Sequence, residues 1–359
     1  MKTYPIPLVP GPTRVPQAVR DAYLVDYGSA DMELEFFDLY CDTQAALRQI
    51  LKTQSDAAIM TGEGMVALWG ALKSCLKPGD KVLAVGNGPY GVGIGNLAKG
   101  ITGEARILSF DFDGPIDMGQ VEAAIAEYRP HMVTAVHCDT PVGNLNPIGA
   151  IGRLVRQYDV PLFYVDTVSA AAGAPLDVDA WSIDLALVGS QKCLSAPPDV
   201  AIIMVSPRAW DVVHRYNYQG YDGLAPWDGF IDRRYTPYTL SWASTAALRV
   251  ACQLILDEGL DIVVRRHADV AGYCRARLRQ MGLALYQRDE NLASPTVTAV
   301  HVPQGITWTE LDARLRERGV VVGGSWDELS GHVFRIGHMG SQADRELVQA
   351  GLDALAASL

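Results

Sequence analysis

The chain has 359 residues, of which 30 are Lys or Arg and 41 Asp or Glu, giving a net charge of −11. At about 150 residues per domain the length predicts two domains or three, and a balance this acidic argues against a nucleic-acid partner, which needs a basic face. An apolar content of 49% excludes disorder as the main state, and no run approaches the roughly 18 apolar residues of a membrane helix.

The opening Met1-Lys2-Thr3-Tyr4-Pro5 has no apolar stretch of the secretory kind. Six cysteines (Cys41, Cys75, Cys138, Cys193, Cys252, Cys274) stand apart with no C-x-x-C pair, which predicts neither a metal site nor a disulfide framework. Together these features predict a soluble cytoplasmic enzyme. Prolines at 5, 7, 10, 12 and 16 mark residues 1–20 as an extended arm. Short apolar runs at 81–85, 105–110, 132–136, 161–165, 185–188 and 201–205 read as buried strands, with helices around 121–128 and 148–158 between them. Continuous Val/Ile/Leu strands joined by crossovers predict an α/β domain over 21–250, with a mainly parallel sheet covered on both faces.

From 242 to 280 the pattern is helical, with Leu248, Cys252, Leu256, Val264, Val270 and Leu278 on one side. A strand at 296–302 follows, then a helix over 307–318 with Thr307 as N-cap and Glu310 completing a capping box. Short strands are expected near Val320 and Val333, and a last helix opened by Ser341. Residues 251–359 read as a smaller α+β domain.

Two sites compete. Gly86-Asn87-Gly88-Pro89-Tyr90-Gly91 is a literal G-x-G-x-x-G after a strand, with Asp111 25 residues beyond Gly86, the arrangement of a nicotinamide-binding dehydrogenase. Pro89 in the turn and about 80 residues ahead of the strand speak against it. The second site is Asp166 with Lys192, each at the carboxyl end of an apolar strand, where open parallel sheets bind ligands. Such a pair is either a structural ion pair or a pyridoxal site, with Lys192 forming the Schiff base and Asp166 keeping the pyridine nitrogen protonated.

Asp166-Thr167-Val168-Ser169, the run Gly189-Ser190-Gln191-Lys192-Cys193-Leu194-Ser195-Ala196-Pro197-Pro198, Arg335-Ile336-Gly337-His338-Met339-Gly340 and the opening Pro10-Gly11-Pro12-Thr13 resemble the class V, fold-type I aminotransferases that use pyridoxal 5′-phosphate, above all the alanine–glyoxylate and serine–pyruvate branch. The resemblance spans essentially the whole chain. It implies a seven-stranded mainly parallel sheet with a smaller C-terminal domain, and a homodimer with a shared active site.

Residue by residue, the resemblance implies that Lys192 and Asp166 are catalytic and that Val168 packs under the cofactor ring. Tyr90 matches the stacking aromatic, and Thr140 the residue that bonds the ring 3-oxygen. Gln191 and Thr239 match phosphate contacts. Gly11 and Arg335 match substrate contacts, with Arg335 as a forked clamp for the carboxylate. Trp326, Tyr218 and Trp242 are further aromatic candidates for shaping the pocket.

The phosphate cup departs from the family pattern. Thr61-Gly62-Glu63-Gly64-Met65 puts Glu63 where a hydroxyl residue is expected, with Gly64 and Met65 supplying backbone at a helix start. A carboxylate there opposes a phosphate dianion, and the same feature occurs in the pyridoxamine–pyruvate transaminase branch, which takes unphosphorylated vitamin B6 as substrate. Against that likeness, Trp326 stands where that branch carries a further Arg. The expected function is transfer of an amino group onto a small 2-oxo acid, pyruvate or glyoxylate, from an alanine- or serine-type donor. The alternatives are B6 itself as amino donor, a pyridoxal-dependent lyase or desulfurase using Cys138 or Cys193, and the dehydrogenase.

Overall fold

The structure is a computed structural model that describes residues 3–359; Met1 and Lys2 of the expected arm lie outside the described residues. In chain order the strands are β1 (Ile6–Leu8), β2 (Asp56–Thr61), β3 (Val82–Gly86), β4 (Ala105–Ser109), β5 (Met132–Val136), β6 (Cys138–Asp139), β7 (Asn144–Leu145), β8 (Leu162–Asp166), β9 (Leu185–Gly189), β10 (Val200–Val205), β11 (Val297–His301), β12 (Val320–Gly324) and β13 (Val333–Gly337). Seven form one sheet in the order β2-β10-β9-β8-β5-β3-β4. Only β10 runs against the rest, pairing antiparallel with both β9 and β2. The central strands are buried along their length, whereas β4 at one edge is half-buried, as its single neighbour dictates.

Because β10 is flanked by two antiparallel pairings, β2 points the same way as β3, β5, β8 and β9. β4 shares that direction too, so six loops leave the sheet at one edge, five of them carrying residues 62–64, 87–90, 137–140, 167–169 and 190–192. That shared carboxyl edge builds the site.

The second sheet has the order β1-β12-β13-β11. Its first strand comes from the N-terminal arm, Ile6 to Leu8 lying parallel to Val320 to Val322. This sheet has its own core, in which Leu8, Val300, Leu311, Leu315, Phe334, Val348 and Leu352 are buried. Thr13 then bonds back to the Gln191 and Lys192 carbonyls at 2.9 and 3.0 Å, so the arm spans both sheets.

Helix ends follow their capping chemistry. Thr307 and Glu310 form the expected capping box at Trp308–Glu317. One expectation, the start of the last helix, is corrected, and two features are added. The helical stretch after Trp242 is two helices, Trp242–Glu258 and Leu260–Gln280, broken at Gly259, whose φ of 91° ends the first. The last helix, Arg345–Ala356, is opened by Asp344, whose carboxylate takes the Leu347 N–H at 2.8 Å, while Ser341 lies in a preceding 3₁₀ turn. β2 is a strand that the periodicity does not announce. Among the described residues no helix is long and apolar enough to cross a membrane, and no group of acids, histidines and cysteines is placed to hold a metal ion.

Candidate active site

A cavity of about 520 Å³ opens at the carboxyl edge of the large sheet. Lys192 and Asp166 both line it, from the ends of neighbouring strands β9 and β8. Burial lowers the Lys192 ammonium pKa, and the Arg335 cation lowers it further, so the amine is driven toward its neutral, nucleophilic form. Lys192 Nζ donates to the Pro10 carbonyl at 2.6 Å. Asp166 accepts the Val168 N–H at 2.9 Å, and burial raises its carboxyl to about 6 against the opposing pull of that bond and of Lys192.

Gly11 of the arm, Gly64, Met65, Val168, Gln191 and Tyr90 line the same cavity. Tyr90 is 37% exposed and stands on a turn held from below. The buried Asp139 carboxylate accepts the Gly91 N–H at 2.9 Å and the Tyr90 N–H at 3.4 Å, and a Cβ on Gly88 would run into that carboxylate. The amides that would cradle a dinucleotide phosphate are thus taken, and Asp111 is spent in a surface ion pair with Arg288 at 3.1 Å. The G-x-G-x-x-G turn delivers a ring instead. Burial pushes Asp139 up to about 7, and the charge of Asp166 adds to the rise.

Thr140 lies behind the cavity wall, its hydroxyl shared with that of Ser169, which does line the cavity. Arg335 is buried from the middle of β13 and has no carboxylate partner among the described residues. Its Nε donates to the Gly324 carbonyl at 2.8 Å, and burial pulls its pKa down to about 10. Thr239 is exposed, away from the cavity residues of its own chain. Of the three candidate aromatics only Trp326 joins the site, 4.5 Å over the Arg335 guanidinium and 5.9 Å from the Tyr90 ring. Trp242 packs instead on Tyr27 and Phe36, and the Tyr218 hydroxyl bonds Asp222.

Three groups escaped the sequence reading as contributors: the Pro10 carbonyl, the Asp139 cap and the Ser169 hydroxyl. For Asp139 the signal was present, a lone acid three residues after a strand that is apolar but for Thr134. The two cysteines beside the site carry no thiolate, since burial raises Cys138 to about 11 and Cys193 to about 12. Neither cysteine therefore supports a desulfurase reading.

The donor set fits a flat pyridine aldehyde: an amine of lowered pKa, an acid at the neighbouring strand end, and an aromatic and a small branched residue on the walls. The fit fails at the phosphate end. The Glu63 carboxylate itself caps the helix Gly64–Cys75, accepting the Met65 N–H at 3.0 Å and the Gln191 Nε2 amide at 3.3 Å. Gln191 Oε1 is buried with no hydrogen-bond partner. This end of the cavity therefore offers acceptors, which suit a donor such as a hydroxyl and repel a dianion.

Residues 10–332 match the family described as aminotransferase class-V. An uncharacterized aminotransferase of Methanocaldococcus jannaschii is 36% identical over 95% of this chain and 89% of its own length. The pyridoxamine–pyruvate transaminase of Mesorhizobium japonicum is 33% identical over 99% of this chain and 91% of its own. The crystal structure of alanine–glyoxylate aminotransferase from Nostoc superposes with a TM-score of 0.95 at 28% identity, covering 100% of this chain and 96% of that one.

Proposed function

The chain belongs to the class-V aminotransferase family, a pyridoxal-phosphate-dependent family, and shares its fold-type I architecture; from that premise we propose that it transfers an amino group to a small 2-oxo acid through Lys192. Relatives named for pyruvate and for glyoxylate as acceptors support the substrate class. The observation that carries the reading is a buried amine of lowered pKa and a buried acid at the next strand end on one cavity, with a buried arginine, lacking an acid of its own, near enough for its charge to lower the lysine further.

When bound, the pyridoxal ring supplies an electron sink for the bonds to the substrate Cα. The chain's residues do the rest. Arg335 seats the substrate carboxylate with forked donors. Asp166, at the end of β8, holds positive charge on the ring nitrogen, and Tyr90 and Val168 confine the ring. Lys192, its amine lowered in pKa by burial, would take the proton from the substrate Cα and hand it on within the same half-reaction as a 1,3-proton shift, the direction reversing for the second acid. An amino acid and a 2-oxo acid thus exchange their amino and oxo groups.

The acceptor-lined end of the cavity favours a second, narrower reading, in which the B6 compound is unphosphorylated and is itself the amino donor. The 5′-hydroxyl of pyridoxamine has a proton to give to Glu63 or to the unpartnered Gln191 Oε1, and a phosphate does not.

Both readings are tested by adding pyridoxal or its phosphate to the protein, trapping with borohydride and locating the modified peptide by mass spectrometry. Modification at Lys192 supports the assignment, and amino transfer surviving in Lys192→Ala ends it. Preference for pyridoxal over its phosphate selects the narrower reading.

A further inference from the structure

We propose that Trp326 sets which 2-oxo acids enter, by roofing the carboxylate seat on Arg335 so that it takes an acid with one carboxylate and a short apolar side chain and turns dicarboxylates away. This rests on the amino-transfer reading above and assigns the specificity of that same site. Arg335 spends two of its five N–H donors on the Gly324 carbonyl, leaving three for an incoming carboxylate. The Trp326 indole lies 4.5 Å over the guanidinium, so one face of the cation is covered by a π system. A Cβ on Gly323 would stand 3.2 Å from Arg335 Nη2 and 2.8 Å from Pro10 Cδ, so the bare glycine is what leaves room beside the arginine.

With its carboxylate on Arg335, a substrate has Trp326 and Tyr90 beside it, rings 5.9 Å apart and tilted by 49°. Among the described residues no second cation stacks on either ring of that wall. A side-chain carboxylate would therefore meet aromatic faces with no cation to receive it. The roof is held in place, since Leu329 is buried against Val142, Ala299 and Val333, and its N–H returns to the Trp326 carbonyl at 3.1 Å.

The test is calorimetric binding of propanoate and succinate, unreactive stand-ins for the two acid classes, to wild type and to Trp326→Phe, Trp326→Leu and Trp326→Arg, with Arg335→Met as control. Propanoate is expected to bind wild type and Trp326→Phe alike, and Trp326→Leu about three- to tenfold more weakly, the worth of a cation–π contact. Succinate is expected to bind wild type more weakly than propanoate, with the preference narrowing or reversing in Trp326→Arg. In turnover, Trp326→Leu raises KM for pyruvate with kcat little changed. Unchanged propanoate affinity in Trp326→Leu, or an unchanged preference in Trp326→Arg, overturns the proposal. Loss of propanoate binding in Arg335→Met shows that the seat is real even if the chain moves no amino group. Binding that survives in Arg335→Met places the acid elsewhere and overturns the proposal too.

Discussion

The Lys192 ε-amine donates to the carbonyl oxygen of Pro10 at 2.6 Å, which ties that nitrogen to the N-terminal arm. The next residue, Gly11, has a φ of +87°, and a Cβ there would come within 2.5–2.8 Å of Lys192 Cδ, Cε and Nζ. Gly11→Ala therefore both strains the arm and crowds the lysine, at about 1–3 kcal/mol for the backbone alone. Affinity for pyridoxal should fall at least about tenfold by absorbance titration, while Gly79→Ala, equally positive in φ but in open space, leaves it unchanged.

Glu63 and its amide partners predict a switch in cofactor preference. A carboxylate facing a phosphate costs about 1–4 kcal/mol depending on the local dielectric. Glu63→Gln removes that charge and keeps an acceptor for the Met65 N–H. The affinity ratio of pyridoxal phosphate to pyridoxal, measured by fluorescence titration, should rise by roughly one to three orders of magnitude.

Arg335 is a buried cation awaiting its anion, so removing it should divide stability from activity. Arg335→Met loses the clamp, and kcat/KM for the 2-oxo acid falls by about ten- to a hundredfold, the range for a charged hydrogen bond. The same change relieves an uncompensated buried charge and should raise the denaturation midpoint of the cofactor-free protein. Arg335→Lys should not restore the clamp, since an ammonium has no fork.

The buried acids give the stability a pH signature. Asp139 titrates at about 7 and Asp166 at about 6 in the folded chain, both above the ordinary 3.8. The native state holds protons that the unfolded chain has released, so the stability these acids contribute is full below pH 4 and is lost as pH rises through 6 and 7. His137 and His267, lowered to about 4, and His338, lowered to about 3, act in the opposite sense. The unfolded chain protonates them near 6.5, so they favour folding as pH rises from 4 to 6.5 and are silent above it. Between pH 6.5 and 8, urea denaturation should show wild type losing about 1 kcal/mol relative to Asp139→Asn.

The large sheet was legible because its central strands are unbroken Val/Ile/Leu runs, and the Asp166–Lys192 pair because two polar residues end such runs. β2 was not, because Asp56-Ala57-Ala58-Ile59-Met60-Thr61 is poor in branched residues and owes its strand to pairing with β10. The place of Glu63 at a helix start could be read from spacing, but its grip on Met65 and Gln191 depends on a loop 128 residues away. Trp326, Tyr218 and Trp242 looked alike on the page. Only folding separates them, because which way an aromatic faces is decided by neighbours remote in the chain.

The antiparallel strand β10 is the sole sheet neighbour of β2, with Thr61 paired to Val200 and Asp56 to Val205. A ribosome delivering roughly 5–20 residues per second takes roughly 7–30 s to travel from one to the other. Throughout that interval the apolar segment Ala57 to Met60 has no strand to bond, although the helices around it already exist as sequence. The loop that carries Glu63, at the acceptor-lined end of the pocket, consequently hangs from a strand that has no sheet to join until residues 200–205 exist.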